Sequence, residues 1–310
     1  MKVLFYSIVL TSFNILNPEI SYAQGNMCEN ITVKVQVLGS GGPELTADRA
    51  SSSYLIWLNS KAVVLIDSGG GSSMRFGQSK ANWADLKVVV FTHFHADHSS
   101  DFPALIKASW FGGRRRDLPV FGPYANQYMP SAETFLNALF DKDNGGFKYL
   151  SDMYNDKSSD EYKLIANNIE NSNSTQQIFK DEVLTISAQQ VTHGPIPAFA
   201  YVFEVCKQTI VVSGDTNGEG FENLKLDKTD LFIAHNAIPE SAGKIAKSLH
   251  MTPTQIGEIA NHLNTQKLIL SHRMKRTLGE EEQTIQLVQK KFRGQILFAN
   301  DLDIFIVLTP

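Results

Sequence analysis

Residues 86–98 read Leu-Lys-Val-Val-Val-Phe-Thr-His-Phe-His-Ala-Asp-His. Leu86 to Thr92 is an apolar, β-branched run broken only by Lys87, as expected of a strand covered on both faces. It leads directly into Thr92-His93-Phe94-His95-Ala96-Asp97-His98, so three imidazoles and a carboxylate fall within six residues at a strand end. Left unpaired in a core these groups would be costly, which excludes a packing role. His93 and His95 stand two apart and can point the same way, while Asp97 and His98 can turn toward a second point. Neutral imidazole with carboxylate suits zinc, with manganese or iron as alternatives.

Three later segments supply more donors at strand ends. Val191-Thr192-His193-Gly194-Pro195 offers an imidazole, Val212-Ser213-Gly214-Asp215-Thr216 a carboxylate and Leu270-Ser271-His272 a last imidazole. Five of the eight histidines therefore occupy ligand-like positions. The series resembles the HxHxDH signature and downstream ligands of the metallo-β-lactamase-fold hydrolases. That resemblance implies an α+β fold, a four-layer αββα sandwich. It implies that His93, His95 and His193 hold one metal, that Asp97, His98 and His272 hold a second, and that Asp215 bridges two Zn2+ ions roughly 3.5–4 Å apart. A metal-bridging hydroxide, oriented by Asp97, is then the expected nucleophile.

Asp215 stands where some lactamases of the superfamily carry a cysteine. The chain is more similar to ribonuclease Z and its arylsulfatase and phosphodiesterase relatives. Leu38-Gly-Ser-Gly-Gly42, Leu118-Pro-Val-Phe-Gly-Pro123, His193-Gly-Pro-Ile-Pro-Ala-Phe-Ala-Tyr201 and His250-Met-Thr252 carry this similarity over about residues 36–276. It implies that His250, just ahead of a helix N-terminus that favours an anion, contacts phosphate or assists the leaving group. His235-Asn236-Ala237 falls where that family has His-Glu-Ala-Thr, with Asn236 in place of the glutamate. His235, Arg273 and Lys275 are candidate substrate contacts, and Arg276 adds a third charge to the cluster after His272. Arg114-Arg115-Arg116 reads as a solvated face, and His262 as a structural mid-helix residue. The implied activity is hydrolysis of phosphodiesters, with arylsulfatase, β-lactamase or lactonase activity as alternatives on the same metals. The complete ligand set disfavours a non-catalytic binding protein.

Composition sets the frame. The chain has 310 residues, 43% hydrophobic and 19% charged, with a net charge of −4, which suits a core-forming globular protein and excludes disorder, collagen and coiled coil. The acidic balance argues against holding polyanions by bulk charge. The expected partner is a small or oligomeric anionic ester, with no stable nucleic-acid complex, no membrane anchor, and a homodimer as one possible state. Lys2, the apolar run Val3 to Leu16 and Ser21-Tyr22-Ala23 have the pattern of a signal peptide cleaved after Ala23, which predicts a periplasmic or secreted chain. Cys28 and Cys206 then meet oxidising conditions and either form one bridge or stay as two buried thiols.

Alternating strand and helix patterns place one domain over 24–310, with mixed sheets inside and helices outside. Thr252-Pro253-Thr254-Gln255 opens a helix. Residues 125–180 read as a polar, helix-prone insertion, and Phe298 to Leu308 as one closing strand.

Overall fold

The computed structural model describes residues 28, 30–46 and 48–309; the expected leader, 1–23, lies outside them. Strands of the first half are β1 (Val33–Gly39), β2 (Ser53–Leu58), β3 (Lys61–Ile66), β4 (Val88–Val90), β5 (Leu118–Pro123) and β6 (Leu164–Ile169). The second half adds β7 (Gln176–Lys180), β8 (Leu184–His193), β9 (Ile196–Val205), β10 (Gln208–Val212), β11 (Thr229–His235), β12 (Thr265–Ser271), β13 (Gln295–Phe298) and β14 (Ile304–Leu308). The helices are α1 (Ser72–Ser79), α2 (Ala96–Ser99), α3 (Phe102–Ser109), α4 (Ala132–Phe140), α5 (Lys244–Lys247), α6 (Pro253–His262) and α7 (Glu281–Val288).

The strands form two seven-stranded sheets, ordered β14-β1-β2-β3-β4-β5-β6 and β13-β12-β11-β10-β9-β8-β7. Each sheet is mixed. The β2–β3 hairpin turns through Asn59, whose φ of 54° is the left-handed geometry that asparagine tolerates. Beyond it, β3, β4, β5 and β6 run parallel, as do β10, β11, β12 and β13.

Three apolar clusters glue four layers together. Val35, Tyr54, Ile56, Val90, Phe199, Tyr201 and Ile233 pack between the sheets. Phe91, Phe102, Ile106, Leu136 and Phe140 join α3 and α4 to the outer face of the first sheet. Phe232, Leu268, Ile256, Ala260 and Val288 join α6 and α7 to the second. This is the expected αββα sandwich.

The segment 125–180 is not a helical insertion. It contains α4 and a 3-10 turn, but also β6 and β7, one edge strand for each sheet. Edge strands expose one side and carry polar residues there, as Asn167, Asn168, Gln176 and Gln177 do, so their composition resembles that of a loop. The closing strand is likewise two strands. β13 ends at Phe298, a turn at Asn300–Asp303 reverses the chain, and β14 crosses to pair with β1 in the other sheet. Thr252 and Gln255 form the expected capping box on α6.

Cys28 and Cys206 are joined by a disulfide, with their Cα atoms 5.4 Å apart and 178 positions between them in sequence. Cys206 and Lys207 make the two-residue turn between β9 and β10 with φ of 48° and 66°. Such mirror-image turns usually carry asparagine or glycine, so the bridge pins a turn whose residues resist it. In the chain-entropy account, closing so long a loop contributes about 5 kcal/mol at most. We expect reduction, or Cys28→Ala, to lower the unfolding free energy by roughly 2–5 kcal/mol, read by chemical denaturation with and without reductant; coincident curves would show that the bridge is absent in solution.

Candidate metal centre

Parallel strands end side by side, and the side chains that follow those ends meet at one rim of the sandwich. His93 and His95 follow β4, His193 ends β8, Asp215 follows β10, and His272 follows β12. The single turn of α2 begins at Ala96 and lifts Asp97 and His98 into the same space, with the His98 N–H donating to the His95 carbonyl at 2.9 Å. Gly214, with φ 59°, lies against Thr92, where a Cβ would come within 2.9 Å of the threonine side chain. His272 itself has φ 54°, and a Cβ at Gly42 would sit 2.7 Å from its ring. Left-handed backbone at a non-glycine residue is the kind of strain that accumulates at functional sites.

The donors fall into two sets. His93 Nε2 lies 3.0 Å and His193 Nε2 3.4 Å from His95 Nδ1. At 3.2 Å and 3.6 Å, His272 Nε2 and His98 Nε2 flank Asp97 Oδ2. Asp215 stands between the sets: Oδ1 is 3.4 Å from His272 Nε2 and 3.8 Å from His98 Nε2, while Oδ2 is 3.8 Å from His193 Nε2 and 3.8 Å from His250 Nδ1. His98 Nε2 and His250 Nδ1 are buried without a hydrogen-bond partner. Unpartnered imidazole nitrogens aimed into a cluster of carboxylates are what a cation site requires, so the residues present fit divalent metal binding.

A second layer fixes these rings. Asp67, at the end of β3 and fully buried with φ 55°, accepts from the Thr92 N–H at 2.7 Å, the Thr92 hydroxyl at 2.8 Å and His98 Nδ1 at 2.8 Å. His193 Nδ1 donates to the Leu249 carbonyl at 2.9 Å. Both contacts turn the remaining nitrogen of each ring toward the cluster, the usual carbonyl or carboxylate backing of a metal-binding histidine. Sequence reasoning missed Asp67. Its only signal is an aspartate closing an apolar strand ahead of Gly69-Gly70-Gly71, which reads as a turn.

The electrostatics are set by burial and mutual pairing. Burial opposes protonation of His98, but Asp97, Asp67 and Asp215 outweigh it and push the imidazole up to about 10. Burial also opposes ionisation of Asp97, yet His98 and His272 hold its carboxyl down at about 2. Asp215 is likewise held well below the carboxylate range, against burial, by His272 and His98. Burial dominates for His250 and His235, which fall to about 4 and about 3.

Three expected substrate contacts lie elsewhere. His235 is 1% exposed; its Nδ1 donates to Asp215 Oδ1 at 2.8 Å, and its Nε2 is 3.1 Å from the hydroxyl of Tyr54, on the opposite sheet. It braces the central carboxylate and does not face a substrate. The Arg273 guanidinium is buried, paired with Glu281 and stacked 4.7 Å over Phe298. Lys275 is exposed, and its backbone N–H donates to Glu44. His250 does reach the site, 9% exposed and just before the α6 cap. The amide of Asn236 is buried without a side-chain partner. Arg114 is a buried tie to the carbonyls of Trp83, Leu86, Arg116 and Asp117, and His262 Nε2 donates to the Phe221 or Leu224 carbonyl. A cleft of about 350 Å³ opens over the donors, walled by Pro43, Ala96, Leu249 and Met274.

Comparison with known proteins agrees with this geometry. Residues 46–249 match the family model of the metallo-beta-lactamase superfamily. Ribonuclease Z of Mycobacterium bovis is 24% identical over 289 residues, covering 87% of this chain and 96% of its own length. The metallo-beta-lactamase fold protein YhfI of Bacillus subtilis superposes with a TM-score of 0.68 at 22% identity, over 89% of this chain and 99% of its own. The short form of human tRNase Z gives 0.68 at 18% identity, over 89% and 99%.

Asp67→Asn should keep the loop's shape while weakening the backing of His98, lowering divalent-metal affinity by roughly 10–100-fold. Titration against a competing chelator measures this, with Tyr54→Phe, one bond further from the donors, showing the smaller loss. Unchanged affinity in Asp67→Asn would reduce Asp67 to a loop clasp.

Proposed function

The chain belongs to the metallo-beta-lactamase superfamily, and we propose that it is an exported, dinuclear metal-dependent hydrolase of phosphodiesters, ribonuclease Z-like in its site. The division of Asp215 carries this reading: one oxygen faces His98 and His272, the other His193 and His250. His93, His95 and His193 would hold one cation, Asp97, His98 and His272 the other, with Asp215 shared. Two zinc ions there, or manganese or iron, would supply a nucleophile at neutral pH and offset charge developing on the ester oxygens.

The chain's own groups do the rest. Asp97, ionised at neutral pH, accepts a hydrogen bond from the attacking oxygen and fixes its direction. His250 is uncharged at rest, because burial keeps it at about 4. When the substrate's negative charge lies beside it, that charge favours the protonated ring, which takes up a proton from water and can then pass it to the leaving oxygen. The apolar walls lower the polarity around these groups, which strengthens both contacts.

Export is supported by the Cys28–Cys206 bridge, since such bonds persist in oxidising compartments, and by the leader-like composition of residues 2–23. Among the described residues, no helix is long and apolar enough to cross a membrane.

The metal-loaded chain should hydrolyse bis(p-nitrophenyl) phosphate. Asp97→Ala should retain the fold and lower kcat by at least ~10²-fold, and unchanged turnover would sink the dinuclear reading. His250→Ala should lower kcat by roughly 10²-fold; a change confined to KM would demote His250 to a substrate contact.

A further inference from the structure

The cleft over the metal donors is walled by carbon, not by charge. Its lining above His95, Asp97, His193, Asp215, His250 and His272 is Pro43, Ala96, Leu249 and Met274; among the described residues no lysine or arginine lines it. The cations that follow His272 are not part of its lining. Arg273 pairs with Glu281 and stacks over Phe298, Lys275 has an exposed side chain and only its backbone N–H on Glu44, and Arg276 donates from Nε to the Ala237 carbonyl at 2.7 Å and reaches the lining only through the Met274 sulfur. Two large apolar side chains near these wall residues in sequence are exposed. Leu45, two residues from Pro43, is 97% exposed, and Ile245, four before Leu249, is 81% exposed.

The position of Leu249 is itself built. Its carbonyl receives His193 Nδ1, and a Cβ at Gly194 would come within 2.6 Å of its Cδ2. Its side chain is therefore held in the cleft by the same backbone that orients a metal donor.

We propose that this cleft selects a small ester bearing one negative charge and an apolar, aryl-sized substituent, in preference to a nucleic-acid chain. A polyanion needs cationic side chains along its path, whereas one anionic charge would be met by the metal that the donor cluster holds. The volume of about 350 Å³ is at the small end of ligand sites and accepts one ring beside the reacting phosphorus. This rests on the phosphodiesterase reading for its chemistry but not for its recognition.

The test uses diesters with one leaving group and one charge: methyl, hexyl and phenyl p-nitrophenyl phosphate, with a short RNA as the polyanion. On the metal-loaded chain, kcat/KM for the phenyl ester should exceed that for the methyl ester by at least about tenfold. Leu249→Ser should bring the phenyl-to-methyl ratio of kcat/KM close to one, and metal content measured on the same sample should match that of the parent chain, so that the lost ratio is read as lost apolar contact. Arg276→Gln should change neither ester by more than about threefold. Equal rates for methyl and phenyl esters, preference for RNA, or a tenfold loss in Arg276→Gln would overturn the proposal. Should no phosphodiester be cleaved, the previous reading fails, and calorimetry with phenylphosphonate and methylphosphonate decides this one separately. Tighter binding of the phenyl compound, lost in Leu249→Ser, sustains it; equal binding ends it.

Discussion

Two carboxylates removed from water, Asp67 and Asp215, govern the architecture around the site. A buried charge must be paired or it unfolds its surroundings. Asp67 meets this demand through Thr92 and His98, which joins the ends of β3 and β4 and fixes the turn carrying His93, His95 and Asp97. Asp215 meets it through His235, with His98, His193, His250 and His272 within 4 Å. The rings are thus oriented by the protein before any cation arrives, and the strained φ values at Asp67 and His272 are held by that pairing.

The side chains that meet at this rim were legible in the sequence because their chemistry is incompatible with core filling. His93 to His98 directly follow an apolar strand, and His193, Asp215 and His272 each close another. What the sequence hid depends on direction. Arg273 and Lys275 adjoin His272, yet the left-handed turn at His272 sends the next side chain toward Phe298, away from the cleft. His235 ends β11 beside two strands that supply donors, but its ring supports Asp215. Asp67 was invisible because an aspartate before glycines is indistinguishable from a turn until its strand neighbour is known. The edge strands β6 and β7 were masked by their polarity, and the break between β13 and β14 by their shared apolar character.

The site combines two kinds of surface in a small volume. Its floor is a dense set of imidazoles and carboxylates, whereas its walls are proline, alanine, leucine and methionine. Low-polarity walls strengthen each charge interaction on the floor. Leu249 links the two, because its main chain serves the floor and its side chain the wall. The wall can therefore change residue while the carbonyl that steadies His193 persists.

The placement of β14 has a kinetic consequence. It pairs with β1, so the first and last strands among the described residues lie side by side while the second sheet is assembled from the sequence between them. A ribosome or a translocation pore delivers the chain from its N-terminus, and β1 has to wait for residues 304–308 before that edge is covered. Closure of the first sheet is consequently a late event that spans nearly the whole chain, and contacts of such separation form slowly. Until then β1 presents an uncovered edge, the stage at which the folding chain is most exposed to aggregation.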